Sequence, residues 1–162
     1  MSDRILLPPL TREASSPGGR FHLTIQAVDG WKSPRARAEL REDEGASAKL
    51  LWSLHLPHEQ GPRRALISDQ GEVILVDEWI NVASRRALTL IGTNGKVRAS
   101  YSAEEIFAVL AVPLREVTAH AKLGIWLAAE PVFSRDGRAV LFQGGGRHLA
   151  LRLDDGKLSL AD

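Results

Sequence analysis

The chain has no cysteine among its 162 residues. Disulfides, thiolate metal sites and thiol nucleophiles are excluded together, so stability has to come from packing and hydrogen bonding. Charge of one sign is missing too: 21 Lys and Arg are set against 20 Asp and Glu, a formal net charge of +1. With no extended field to draw in a polyanion, nucleic acid is disfavoured as a partner. Long apolar runs are also absent. The first, Ile5-Leu6-Leu7, stops at Pro8-Pro9, far short of the roughly 18 residues a membrane span requires or of the apolar centre of a secretion signal. The expectation is a cytoplasmic protein with no membrane contact. A chain of this length fits one ordinary domain, able to bury roughly two thirds of its unfolded surface without a covalent staple.

What the sequence does contain is alternation and turns. Residues 1–19 are rich in Pro, Ser and Gly and show no period, which predicts an extended N-terminal arm ahead of a single β domain over 20–162. Phe21, Leu23, Ile25 and Ala27 then alternate with His22, Thr24, Gln26 and Val28, the period of two of a strand with one buried face. Leu50, Trp52, Leu54 and Leu56 repeat it, and Arg37–Arg41 between them reads as an edge strand with its charges outward. Val73–Val76 is apolar throughout, as in a strand covered on both faces. Asn94-Gly95 between Leu88/Leu90 and Val97/Tyr101 predicts a hairpin with a type I′ turn. One stretch leaves the β pattern. Ser102-Ala103-Glu104-Glu105 has capping-box spacing, followed by Ile106, Val109 and Leu110, with Pro113 as a break. Helical structure is predicted over about 102–121. A strand around Trp126 and alternating Leu149, Leu151 and Leu153 return the chain to β.

The turns recur in order. Ser16-Pro17-Gly18-Gly19-Arg20, Ser68-Asp69-Gln70-Gly71-Glu72 and Ser134-Arg135-Asp136-Gly137-Arg138 each precede an apolar strand. A second turn follows each, at Asp43-Glu44-Gly45, Asn94-Gly95-Lys96 and Asp155-Gly156-Lys157. The unit is strand, turn, strand, strand, turn, strand, so the fold predicted is mainly β: consecutive four-stranded antiparallel meanders with one short helical insertion. The Ser-x-Asp-Gly-Arg turn with a hairpin ending Asp-Gly-Lys-Leu resembles the blades of bacterial β-propellers of the TolB-like and WD-repeat kind. That resemblance spans most of residues 15–160 and implies a repeat scaffold that binds other proteins through the ends of its sheets. The Trp-Asp dipeptide of WD repeats is absent, and three units are fewer than a closed propeller uses. Three outcomes compete: a compact three-bladed or sandwich-like domain with the helix filling the gap, two chains completing a six-unit ring through their open edges, or a plain β-sandwich carrying the same turns.

Chemistry-bearing residues are few. Asp77 and Glu78 close the apolar strand beside Trp79, and with Glu130 they are the carboxylates available for acid–base work, as in a small hydrolase or sugar-active enzyme; a strand end with solvated acids is the plainer alternative. Trp79, Asn81, Arg85 and Arg86 form the candidate binding segment at a loop end. Arg35/Arg37 and Arg63/Arg64 are further basic pairs able to grip a carboxylate or phosphate, or simply to solvate turns. His55 and His58 are the candidate metal ligands, but their spacing on a strand points them apart. Gly144-Gly145-Gly146-Arg147 offers backbone amides to an anion, yet lacks the Lys-Ser/Thr of a P-loop. No nucleophile, base and orienting group assemble, no cofactor is implied, and the expectation is a non-enzymatic interaction module with a protein partner.

Overall fold

The structure is a computed structural model that describes residues 6–80 and 82–161. Among them run twelve strands and two helices. In the first sheet β1 (Thr11–Ser15), β2 (Phe21–Ala27), β3 (Ala36–Glu44) and β4 (Ser47–Leu56) lie side by side in chain order. The second holds β5 (Arg64–Ile67), β6 (Val73–Val76), β7 (Leu88–Ile91) and β8 (Val97–Tyr101), again in chain order. The third holds β9 (Val132–Phe133), β10 (Ala139–Gly144), β11 (Arg147–Arg152) and β12 (Leu158–Leu160). Helices α1 (Ala103–Leu110) and α2 (Leu114–His120) stand between β8 and β9. The fold is mainly β, three four-stranded antiparallel meanders with the helical insertion where the capping box places it. By contact the chain divides into two compact units, Met1–Ile80 with Ile91–Val97 and Asn81–Leu90 with Arg98–Asp162. No helix is long and apolar enough to cross a membrane among the described residues.

The turns explain why the meanders recur. Between first and second strands each turn opens on a serine. The Ser16 N–H donates to Phe21 O at 2.9 Å, and its hydroxyl accepts from the Phe21 N–H at 3.1 Å. Ser134 does the same with Ala139, at 2.8 and 3.1 Å. Ser68 closes one residue sooner, on Glu72, at 2.9 and 3.0 Å. In each, a glycine three residues on donates back to the serine carbonyl. These glycines, Gly19, Gly71 and Gly137, have φ of 77, 83 and 71°, the left-handed region that side chains resist. A second device recurs as Asx-Gly-basic: Asn94, Asp136 and Asp155 each accept through Oδ1 from the N–H two residues on, of Lys96, Arg138 and Lys157, at 3.0 Å. That is the Asx turn, in which a side chain stands in for a backbone carbonyl.

Several local expectations are corrected. The arm predicted over 1–19 contains a strand, since Thr11–Ser15 pairs with His22–Gln26 as β1; its only apolar residue, Ala14, was too little to show a period. The Arg37–Arg41 strand is interior, because β3 is flanked by β2 and β4. It buries Ala36, Ala38 and Leu40 and turns Arg37 outward. The Asn94-Gly95 turn is not type I′. Gly95 alone has positive φ (81°), Gly95 N–H donates to Gly92 O and Gly92 N–H to Lys96 O, so it is the three-residue loop with a glycine bulge. Trp126 lies outside any strand, in a turn closed by the Leu123–Leu127 bridge.

In the first unit the rows Leu23–Leu40–Trp52 and Ile25–Ala38–Leu54 cross β2, β3 and β4. They pack with Phe21, Leu56, Ile67, Val73, Leu75 and Ile91 into one buried cluster. Each fully buried Leu or Ile contributes about 1.5–3 kcal/mol over an exposed one. A register shift at Leu40/Arg41 pairs Trp52 with Leu40 but Leu50 with Arg41. Leu50 is thereby turned out of the face that Trp52 and Leu56 bury, and is exposed. In the second unit Trp126 and Phe142 pack with ring centroids 5.7 Å apart. Helix α1 lies against β11 and β12 and buries Ala103, Ile106 and Leu110. The Ser102 hydroxyl accepts from Glu105 N–H, and the Glu105 carboxylate from Ser102 N–H, both at 3.1 Å, a complete capping box. At the other end Arg147 donates to Leu110 O at 3.0 Å. The Gly144–Arg147 segment is thus a β10–β11 hairpin turn whose guanidinium caps a helix.

Candidate functional site

The first strand of the first sheet places a charge on its inner face. Arg12 stands opposite Ile25 and Ala14 opposite Leu23, on the side that Leu23 and Ile25 bury, while Glu13 falls on the other. A guanidinium there loses water. Its Nη2 is buried and has no hydrogen-bond partner, and burial pulls the Arg12 pKa below its ordinary value. What faces it is an indole: the Arg12 guanidinium carbon lies 5.3 Å from the Trp79 ring centroid, and that of Arg63 lies 5.4 Å from the same centroid. Both distances are within cation–π reach.

The backbone that carries Trp79 is tightly held. Asp77, directly after β6, has φ of 57°, so the chain leaves the sheet in a left-handed step. The Glu78 carboxylate then accepts from the Glu59 N–H at 2.7 Å. Trp79 N–H is shared between Glu59 O and Gly61 O at 3.2 and 3.1 Å, and the indole N–H donates to Leu6 O at 2.7 Å. Arg63 Nη2 donates to Ile80 O at 3.3 Å. Gly61 allows the close approach, because a Cβ there would stand 2.8 Å from Arg12 Nη2. Beside the stack opens a cleft of about 190 Å³ lined by Arg12, Glu13, Ala14, Ile25, Arg63 and Ala65. Two forked cations and a small apolar floor can hold a flat anion.

The residues singled out in the sequence fare unevenly. Asp77 and Glu78 are both buried, and the Glu78 bond to Glu59 N–H anchors a loop. Glu130 is exposed and belongs to the second unit. Of the binding segment, Trp79 is the centre of the stack in the first unit. Arg85 is exposed and Arg86 donates its N–H to Ser84 Oγ at 2.9 Å, both in the second unit. Asn81 lies outside the described residues. His55 is exposed opposite Arg37, whereas His58 is buried, so their environments diverge. No group of three or more His, Asp or Glu side chains is placed to hold a metal ion among the described residues. Arg35, Arg37 and His55 border two shallow hollows of about 260 and 160 Å³. Arg12 was missed. The one available signal was a lone basic residue alternating in phase with Ala14 just ahead of the first serine turn.

No protein family matches the chain, and no curated protein is similar to it. Among solved structures it is similar to the crystal structure of HIRA(644-1017), at 9% identity and a TM-score of 0.33, covering 94% of this chain and 53% of that one. The chain therefore spans about half the length of the structure it matches.

Proposed function

We propose that the chain is a non-enzymatic protein-interaction module assembled from propeller-blade-like meanders of the TolB-like and WD-repeat kind. One observation carries this reading: three four-stranded meanders, each in chain order, share a serine-led first turn, the repeat organisation of a scaffold whose loops join rigid strands. Its partner is a protein, and a second copy joined through open sheet edges is one such partner. No cofactor takes part, and the compartment is the cytoplasm. The enzyme alternative through Asp77, Glu78 or Glu130 has less support, because Glu78 accepts a hydrogen bond from a loop amide and Glu130 is exposed in the other unit.

Native mass spectrometry of the protein purified gently from its own host tests the proposal. A complex of fixed stoichiometry, with itself or another chain, is the expected result. A bare monomer that also turns over ester or glycoside substrates, with the activity lost in Glu78→Gln, would overturn it.

A further inference from the structure

The cleft between β1 and β5 shows an imbalance. Both guanidinium groups that line it lie within cation–π reach of one indole outside its lining, and that of Arg12 holds a buried Nη2, packed against Gly61, without an acceptor. A buried donor without an acceptor is costly, since the group keeps its desolvation penalty. Edge-strand charges pointing inward can guard against pairing with another chain. That role alone asks for neither a second arginine on the same ring nor a cleft beside them. Arg12 and Arg63 both line the cleft, whose floor is Ala14, Ile25 and Ala65. Glu13 also borders it, but strand alternation carries its side chain to the opposite face of β1 from Arg12.

We infer that this cleft binds a carboxylate borne on a small apolar body, with Arg12 and Arg63 gripping the carboxylate and Ala14, Ile25 and Ala65 taking the apolar part. The planar fork of a guanidinium matches a carboxylate in two parallel hydrogen bonds, and an arginine that stays stacked on an aromatic ring is pre-organised to do so. About 190 Å³ is less than the roughly 300 Å³ and more of a drug-sized site. The ligand is therefore a short acid, supplied either free or as the side chain of an acidic residue in a partner. The inference stands apart from the interaction-module reading: a free acid would bind here even if the chain had no protein partner.

The test follows the Trp79 indole N–H resonance, assigned by its loss in Trp79→Phe, while butyrate, butyramide, a doubly capped glutamate or inorganic phosphate is added. Butyrate or the capped glutamate is expected to move the resonance saturably at millimolar concentration, and butyramide is not. Arg63→Ala should weaken binding at least about tenfold, and Arg63→Lys, which keeps the charge without the fork, should fall between. Far-ultraviolet circular dichroism checks that each variant is folded. If Arg63→Ala does not fold, Arg63→Lys and the wild-type comparison of butyrate with butyramide decide alone. Tighter binding of the capped glutamate assigns the source to a partner's side chain, and tighter binding of butyrate to a free acid. Equal responses to butyrate and butyramide, no saturable response to either acid by about 50 mM, or a response to phosphate alone would overturn the inference.

Discussion

The indole N–H of Trp79 donates to the main-chain carbonyl of Leu6 at 2.7 Å, joining two residues 73 positions apart. Trp31 does the same for Pro8 O at 2.9 Å. Between them they pin the chain just ahead of β1, although Leu6 and Leu7 leave most of their own surface in water. Indoles hold this segment through their polar edge rather than by burying it.

Trp79→Phe keeps an aromatic face for Arg12 and Arg63 but removes that N–H. The expected cost is about 1 kcal/mol, read as a lower urea midpoint with an unchanged slope. Limited proteolysis near residues 6–10 should become faster. Unchanged cleavage would mean the hydrogen bond does not hold the segment.

Arg12→Met replaces a desolvated cation with an apolar chain of similar reach. Stability should stay level or rise by up to about 1 kcal/mol, because the unpartnered Nη2 disappears. Self-association should increase as the inward charge of the edge strand is lost. A loss beyond about 2 kcal/mol would assign the larger part to the cation–π stack.

Gly19 and Gly71 occupy equivalent turns with similar φ but different surroundings. A Cβ at Gly19 meets nothing within 4 Å, whereas at Gly71 it would lie 2.8 Å from the Phe21 ring. Gly19→Ala should cost about 1 kcal/mol for the left-handed backbone alone. Gly71→Ala should cost clearly more, and equal midpoints in denaturant would contradict the Phe21 contact.

Ser102→Ala removes the acceptor for Glu105 N–H and should cost about 1 kcal/mol. Ser102→Asp, which restores an acceptor and suits a helix N-terminus, should recover most of it. Thermal unfolding of the three proteins side by side gives the answer.

Asp155 forms a two-point ion pair with Arg152 and accepts from Lys157 N–H. These bonds, the arginine first, hold its carboxyl well below the usual carboxylate range. A carboxyl lowered in the folded state adds stability above its unfolded value, about 3.9, and that contribution is lost as pH falls through the folded value. The melting temperatures of wild type and Asp155→Asn should therefore differ near neutrality, with a gap that starts to shrink below about pH 4 and goes on shrinking as the solution is made more acid. A gap of constant size from pH 7 down to pH 2 would point to the geometry of the turn instead.

How much of this was legible beforehand depended on range. The serine-led turns, the Asx-Gly-basic turns and the capping box were readable because donor and acceptor sit within a few residues of each other. Type I′ at Asn94 failed because Asn-Gly serves two hairpin geometries, and only the backbone decides which. β1 was hidden because an inward arginine broke the apolar alternation that marks a strand. The candidate site was half visible: Trp79 stood out beside two acids, but Arg12 comes from strand β1 and Arg63 from another loop. Nothing local in the sequence joins three such residues.

Every sheet runs in chain order, so each strand finds its neighbour immediately before or after it. A nascent polypeptide could complete β1–β4 once Leu56 has cleared the ribosome, before β5 has followed it out. Pairings that close over such short loops give up little chain entropy. A stall after Leu56 has cleared the ribosome would leave behind a sheet already zipped.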